Sequence, residues 1–329
     1  MNFRRYWASQ LRTAVVTATN VVTTIHRYLS ATWPVATLAL GRILFGAVMT
    51  ISCLRFLALG WVHDQYISPK VHFPYFGFEW IQPLGEVGMY TVFILMTIAA
   101  LGILFGLHYR IASVTFAVLF TYVELIDKTY YLNHYYFVSL AAFLFTLLPA
   151  NAGWSLDVMR LPSIRRDVVP RWTIDVLKLQ LAIVYIHAGV AKISSEWLFD
   201  AMPLRIWLPA HDDLPLIGPL LSISWMPWAF SWVGMLFDCT VPFFLLSKRT
   251  RLVAWIAVVG FHVVTGMMFQ IGVFPLVMIA MTLIFFSPEA HLQWLHRITG
   301  RSREVILREN PPGEFFSRRN ISGKTLREN

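Results

Sequence analysis

The stretch Val184-Tyr185-Ile186-His187-Ala188-Gly189-Val190-Ala191-Lys192-Ile193-Ser194-Ser195-Glu196-Trp197 decides how this chain reads. It closes an apolar segment over 174–194, long enough to cross a bilayer as one helix. Lys192 therefore stands in or beside the hydrocarbon layer. Charge is expensive there, and partial desolvation favours the neutral amine, which makes Lys192 a candidate base. The competing reading is a lysine that snorkels to the interface, with Glu196 as its partner four residues on.

Working outward, eight such segments are legible, at about 35–59, 87–107, 110–127, 134–150, 174–194, 224–246, 251–268 and 271–287. The third, fourth, seventh and eighth are short. Of 329 residues, 57% are hydrophobic and 14% charged, against about 25% charged in ordinary soluble domains. The expected fold is all-α, a multi-pass integral membrane helical bundle of about eight transmembrane helices. The expected domains are an N-terminal amphipathic interfacial helix over 1–34, the transmembrane domain over 35–290 and a basic, partly disordered tail over 291–329. Phe3, Trp7, Leu11, Ala14, Ala18, Val22, Ile25 and Leu29 recur at helical spacing in the first of these. That helix either lies on the inner membrane face or packs against the bundle.

The net charge of +9 does not argue for nucleic acid. Arginines and lysines collect in the N-terminus, at His108–Arg110, at 160–171, at 248–251 and in the tail, all on one side of an eight-span bundle. The opposite loops carry Asp64, Glu79, Glu86, Glu196, Asp200, Asp212 and Asp213. This bias places both termini in the cytoplasm. A bacterial cytoplasmic membrane is the favoured location, or the endoplasmic reticulum membrane in a eukaryote. The outer loops, about 60–86 and 195–223, are rich in proline and aromatics and are expected to fold back as a cap. Neither Cys-x-x-Cys nor His-Glu-x-x-His occurs, so no metal is expected.

The topology brings distant residues to one depth. Lys192, Asn133, His134, Asp127 and Lys128 fall at the outer ends of their spans, and His262 falls about mid-depth. Tyr185 lies seven residues before Lys192, on the same helix face. Ala188 and Gly189 either leave room for a flat ligand or allow close helix packing. His134 either serves a site or bonds a loop carbonyl, and His262 is either functional or a satisfied core histidine. Glu124 is either a proton carrier or a partner for Lys128. Arg42 and Asp238, deep in the first and sixth spans, read as a structural ion pair. A proton-coupled transporter is a further reading, but paired Gly/Pro interruptions are not apparent.

At these residues the chain resembles a known family. The stretches are Gly106-Leu107-His108-Tyr109-Arg110-Ile111, Ile126-Asp127-Lys128-Thr129 with Asn133-His134, Ala150-Asn151 with Trp154-Ser155-Leu156-Asp157, and Ile183-Val184-Tyr185 with Ala188-Gly189-Val190-Ala191-Lys192 and Trp197. Phe261-His262, Phe269-Gln270-Ile271-Gly272-Val273-Phe274 and Phe286-Ser287-Pro288-Glu289 complete them. Together, over roughly 35–290, they resemble the transmembrane part of vitamin K-dependent γ-carboxylase, also called the horizontally transferred transmembrane (HTTM) domain. The resemblance implies an enzyme that couples quinol epoxidation to carboxylation of glutamate. It implies vitamin K hydroquinone or a related menaquinol as cofactor, oxygen and carbon dioxide as co-substrates, and a glutamate-containing peptide or protein as partner beside the lipid membrane.

By the same resemblance Lys192 matches the base that deprotonates the hydroquinone, and His134 a histidine of the glutamate half-reaction. Asn133, Tyr185 and His262 are the implied cofactor-binding residues. Ala191 stands where the animal enzymes carry a second lysine. The chain ends soon after the last span, so the large extracytoplasmic domain of the family's carboxylases is not expected in it. The alternative is therefore a non-enzymatic HTTM protein, a peptide-maturation, immunity or lipid-binding partner.

Overall fold

In the computed structural model, residues 17, 19–214, 218–269, 271–287 and 289–290 are described. Phe3, Trp7, Leu11, Ala14 and Ala18 of the expected amphipathic helix lie outside them, as does the tail over 291–329. Residues 19–30 are helical and exposed, with the Arg171 guanidinium 4.0 Å from the Tyr28 ring centroid. A short antiparallel pairing follows, not foreseen from the sequence: β1 (Thr32–Pro34) against β2 (Val168–Pro170), with Thr32 opposite Pro170. It ties the approach to the first span to the approach to the fifth.

The spanning elements are α1 (Val35–Ala58), α3 (Gly85–Phe105), α4 (Tyr109–Ile126), α5 (Asn133–Leu147), α7 (Trp172–Ala191), α11 (Met226–Leu246), α12 (Arg251–Met268) and α13 (Phe274–Thr282). Six of them are long and apolar enough to cross a membrane. The other two, α5 with 15 residues and α13 with 9 before a 3-10 turn over Leu283–Phe285, are the fourth and eighth spans. A helix of 15 residues rises only about 22 Å, less than the hydrocarbon core, so its ends must sit against protein or the interface. The bundle is an all-α membrane architecture, as composition required.

Helices α1, α3, α4 and α5 pack in sequence, and α7, α11, α12 and α13 form a second group; α13 against α1 and α5 against α7 join the two. Lipid tails are as apolar as leucine, so close backbone approach holds such helices together. At two contacts a glycine makes the approach possible. A Cβ on Gly46 would fall 2.5 Å from the Leu104 backbone nitrogen, between α1 and α3. A Cβ on Gly189 would fall 2.5 Å from Cys239 Sγ and 2.8 Å from its backbone nitrogen, between α7 and α11. Close packing, not room for a ligand, is therefore the role of Gly189.

Two buried threonines are satisfied within their own helices. Thr50 and Thr97 donate to the carbonyls of Gly46 and Phe93, four residues back, at 2.7 and 2.8 Å. Arg42 corrects an expectation. Fully buried, it bonds Ala150 O at 3.1 Å, Ile103 O at 2.7 Å, Leu104 O at 2.9 Å and Trp154 O at 2.5 Å, not Asp238. Carbonyls left free at the end of α3 and in the turn after α5 need donors, and a guanidinium supplies several from one side chain.

The loop between the fifth and sixth spans folds back as expected. Its short helices α8 (Ser195–Leu198), α9 (Leu204–Trp207) and α10 (Gly218–Leu221) build a small core from Leu204, Leu208 and Leu221 with Met268. Indoles zip this cap to α11: Trp197 Nε1 donates to Ser231 O at 3.0 Å, Trp228 Nε1 to Phe199 O at 2.7 Å and Trp232 Nε1 to Leu198 O at 3.0 Å. The first outer loop differs. After the short helix α2 (Trp61–Tyr66) it leaves Phe76 98% and Trp80 76% exposed.

Candidate functional site

Lys192 is the C-cap of α7, and its Nζ turns back along the helix. It donates to Ala188 O at 3.0 Å and to Asp238 Oδ2 at 2.7 Å. Side chains on a helix lean toward its N-terminus, which for α7 means into the bundle. The lysine thus points away from the end of the bundle at which α7 stops, and the snorkelling partnership with Glu196 is not the one formed. The Trp197 ring lies 5.5 Å from Nζ. The side chains of Lys192 and Asp238 are 22% and 5% exposed, so the pair is largely withdrawn from water. The contact of Gly189 with Cys239 sets the helix spacing that lets it form.

Two turns deeper on the same face, the Tyr185 hydroxyl lies 2.9 Å from His262 Nε2 on α12. Tyr185 also meets Phe237 edge-on at 6.1 Å, and Phe237 stacks on Phe261 at 4.3 Å. Neighbouring residues of α11, Phe237 and Asp238, therefore face Tyr185 and Lys192 in turn. His262 stands edge-on to Phe274 at 5.4 Å, and His134 stacks on Phe274 at 4.9 Å. One phenyl ring on α13 thus touches two imidazoles from α12 and α5. Both rings are buried, and His134 Nε2 and His262 Nδ1 have no hydrogen-bond partner.

The sequence-derived residues thus gather in part. Tyr185 and His262 touch directly, and His134 joins them through Phe274. Lys192 bonds neither tyrosine nor histidine; its side-chain partner is Asp238, in place of the expected pairing of Asp238 with Arg42. Asn133 opens α5 and is exposed beside the buried His134. Lys178, on the same face as Tyr185, lies at the far end of α7, 3.8 Å from Asp175. His187 is exposed.

Asp127, at the outer end of α4, holds a second polar cluster that the sequence did not reveal. His72 from the first outer loop approaches its Oδ2 at 3.2 Å, and Thr129 donates from N at 2.9 Å and from Oγ1 at 2.8 Å. Burial pushes this carboxyl up, but those donors and the Phe73 backbone outweigh it and hold Asp127 below the usual carboxylate range.

The opposite end is organised by two further stretches of those quoted for the family resemblance. Asp157 accepts from His108 N at 2.8 Å, Tyr109 N at 2.9 Å and Asn151 Nδ2 at 3.0 Å, capping α4 from the turn after α5. His108 adopts φ +45°, in the left-handed region, and Asp157 fixes it there. Burial pushes the Asp157 carboxyl up, yet the donors from Tyr109, Asn151 and His108, with Arg160, bring it below the usual range.

No solved structure matches this chain. The HTTM domain matches residues 31–290, which takes in every spanning element. The chain belongs to the HTTM domain family.

Proposed function

We propose that this HTTM protein is a membrane enzyme of the γ-carboxylase type, which deprotonates a lipid-soluble quinol at Lys192 and couples its epoxidation to glutamate carboxylation. HTTM domains occur in proteins related to vitamin K-dependent carboxylase, which supports the assignment. The observation that carries it is the inward-turned Lys192 Nζ, 2.7 Å from the carboxylate of Asp238.

To act as a base, Lys192 must first hand its own proton to a neighbour, and Asp238 Oδ2 lies 2.7 Å away. Acting as a pair resolves this. Away from water the charged pair loses much of its advantage over the neutral one. Lys192 then passes a proton to Asp238 Oδ2 and accepts another from the substrate hydroxyl. Asp238 is the relay that the lysine needs.

The residues present fit a quinol. A ring oxygen can engage the buried His262 Nδ1, while His134 Nε2 is left for the glutamate half-reaction. When Tyr185 donates to His262 Nε2, the imidazole proton resides on Nδ1, which is left as a donor. Phe274, Phe237 and Phe261 supply flat apolar surface and exclude water. A bound quinol supplies, with oxygen, the reducing power from which a base strong enough for a glutamate γ-proton is generated. Carbon dioxide is then captured by the carbanion, and His134 beside Asn133 serves this half-reaction.

The test is epoxide formation from vitamin K hydroquinone by purified protein in lipid. Lys192→Ala is expected to lower the rate at least about a hundredfold, the size of a lost general base. An undiminished rate removes the assignment. His134→Ala should retain epoxide formation and lose carbon dioxide fixation into a glutamate peptide.

A second reading, a non-enzymatic HTTM protein in peptide maturation, immunity or lipid binding, is favoured by the same pair taken as a tether between α7 and α11. It requires wild-type protein to form no epoxide.

A further inference from the structure

At the arginine-rich end of the bundle, remote from Lys192, a cleft of about 470 Å³ is lined by His108, Arg110, Ile111, Asn151, Arg160 and Leu161, among others. This volume falls within the roughly 300–1,000 Å³ of ordinary small-molecule sites. We infer that this cleft binds a phosphate-bearing anion, and the inference is independent of the function proposed above.

Its charge is the first reason. Arg110 uses Nη1 to donate to Thr146 O, and Arg160 Nη1 lies 2.9 Å from His108 Nε2 and 3.7 Å from Asp157 Oδ1. A guanidinium has five N–H donors in a fixed fork, so both arginines keep capacity for a tetrahedral oxyanion. The one carboxylate in the cleft is already engaged, because Asp157 accepts two backbone amides and the Asn151 amide.

Shape is the second reason. The walls are fixed to one another, since the Asp157 carboxylate accepts from His108 N, Tyr109 N and Asn151 Nδ2. The rim is apolar and open: Ile111 is 70% exposed and Leu161 56%. Guanidinium groups above a bundle end, with aliphatic side chains at the rim, suit a headgroup phosphate whose chains continue along the helices. The charge bias of the sequence assigns this end to the cytoplasm, where anionic lipids concentrate.

Full-length protein in mild detergent is titrated with phosphatidylglycerol and, separately, with neutral diacylglycerol, and bound lipid is counted by native mass spectrometry. Wild type is expected to hold phosphatidylglycerol, and Arg110→Gln with Arg160→Gln to weaken it about tenfold or more. Lys248→Gln with Arg249→Gln, at another basic turn, should leave it unchanged. Equal affinity in wild type and the cleft variant overturns the inference, as does an equal loss in both variants or equal binding of diacylglycerol. Displacement by millimolar inorganic phosphate assigns the site to a free phosphate anion. Retention against phosphate assigns it to a lipid headgroup that Ile111 and Leu161 also hold. Should the glutamine variant unfold, Arg110→Lys with Arg160→Lys replaces it, and that pair is expected to weaken binding less than the glutamines would; undiminished diacylglycerol discrimination with no weakening at all counts against the site.

Discussion

Lys192 and Asp238 form an ion pair of 2.7 Å between the end of α7 and the middle of α11, and each determines the other's state. Removing one partner strands the other in a poorly solvated place. Lys192→Met or Asp238→Leu alone should cost about 2–3 kcal/mol, less than a fully buried pair because the lysine keeps some access to water. Lys192→Met combined with Asp238→Leu should return to within about 1 kcal/mol of wild type. Thermal unfolding in detergent reads both values, and additive losses in the double variant would mean that the two groups are not coupled.

The spacing beneath that pair rests on Gly189. Gly189→Ala places a methyl against Cys239, and α7 and α11 must separate, at about 1–3 kcal/mol. Gly260→Ala is the control, because nothing lies within 4 Å of its added carbon. It should be neutral or gain up to about 1 kcal/mol from helix propensity. If the two substitutions shift the unfolding temperature alike, the contact does not set the helix separation.

Tyr185→Phe removes a hydroxyl and leaves His262 Nε2 unpaired in the core. A loss of about 1–2 kcal/mol is expected from the unsatisfied nitrogen. Under the proposed chemistry, KM for the quinol should rise as well, while Tyr185→Trp, which crowds Phe237, should be worse than Phe. A KM unchanged in Tyr185→Phe would place Tyr185 outside the binding surface.

Acid should loosen the arginine-rich end through Asp157. Its carboxyl is held below the usual range in the folded chain, so its contribution is complete above the unfolded value of about 3.9. It is lost as pH falls from there through the lower folded value. Unfolding measured between pH 6 and pH 3 should show a decline that is shallower in Asp157→Ala. Parallel curves would assign the acid sensitivity to other groups, Asp127 being the first to examine.

The spans were legible because hydrophobic length and charge bias are one-dimensional quantities, and both are written along the chain. What they leave out is azimuth. Depth paired Asp238 with Arg42, whereas the backward lean of Lys192 along α7, beside the Gly189 contact with α11, brings its Nζ to that carboxylate. Arg42 chose carbonyls instead, and a free carbonyl leaves no trace in residue identity. Tyr185, His134 and His262, from separate family-like stretches, lie near one another, Tyr185 against His262 and both histidines against Phe274. Phe274, the ring that touches both histidines, was hidden among the many aromatics of apolar helices. The His72–Asp127 contact was invisible because a long loop has no periodicity from which to place its residues.

Phe274 stands between His134 and His262 as a partition. Two imidazoles held apart by a phenyl ring cannot trade hydrogen ions directly, however buried both are. A proton moving from one to the other has to take a path around that ring, so the shortest of the spanning helices sets how the two imidazoles communicate.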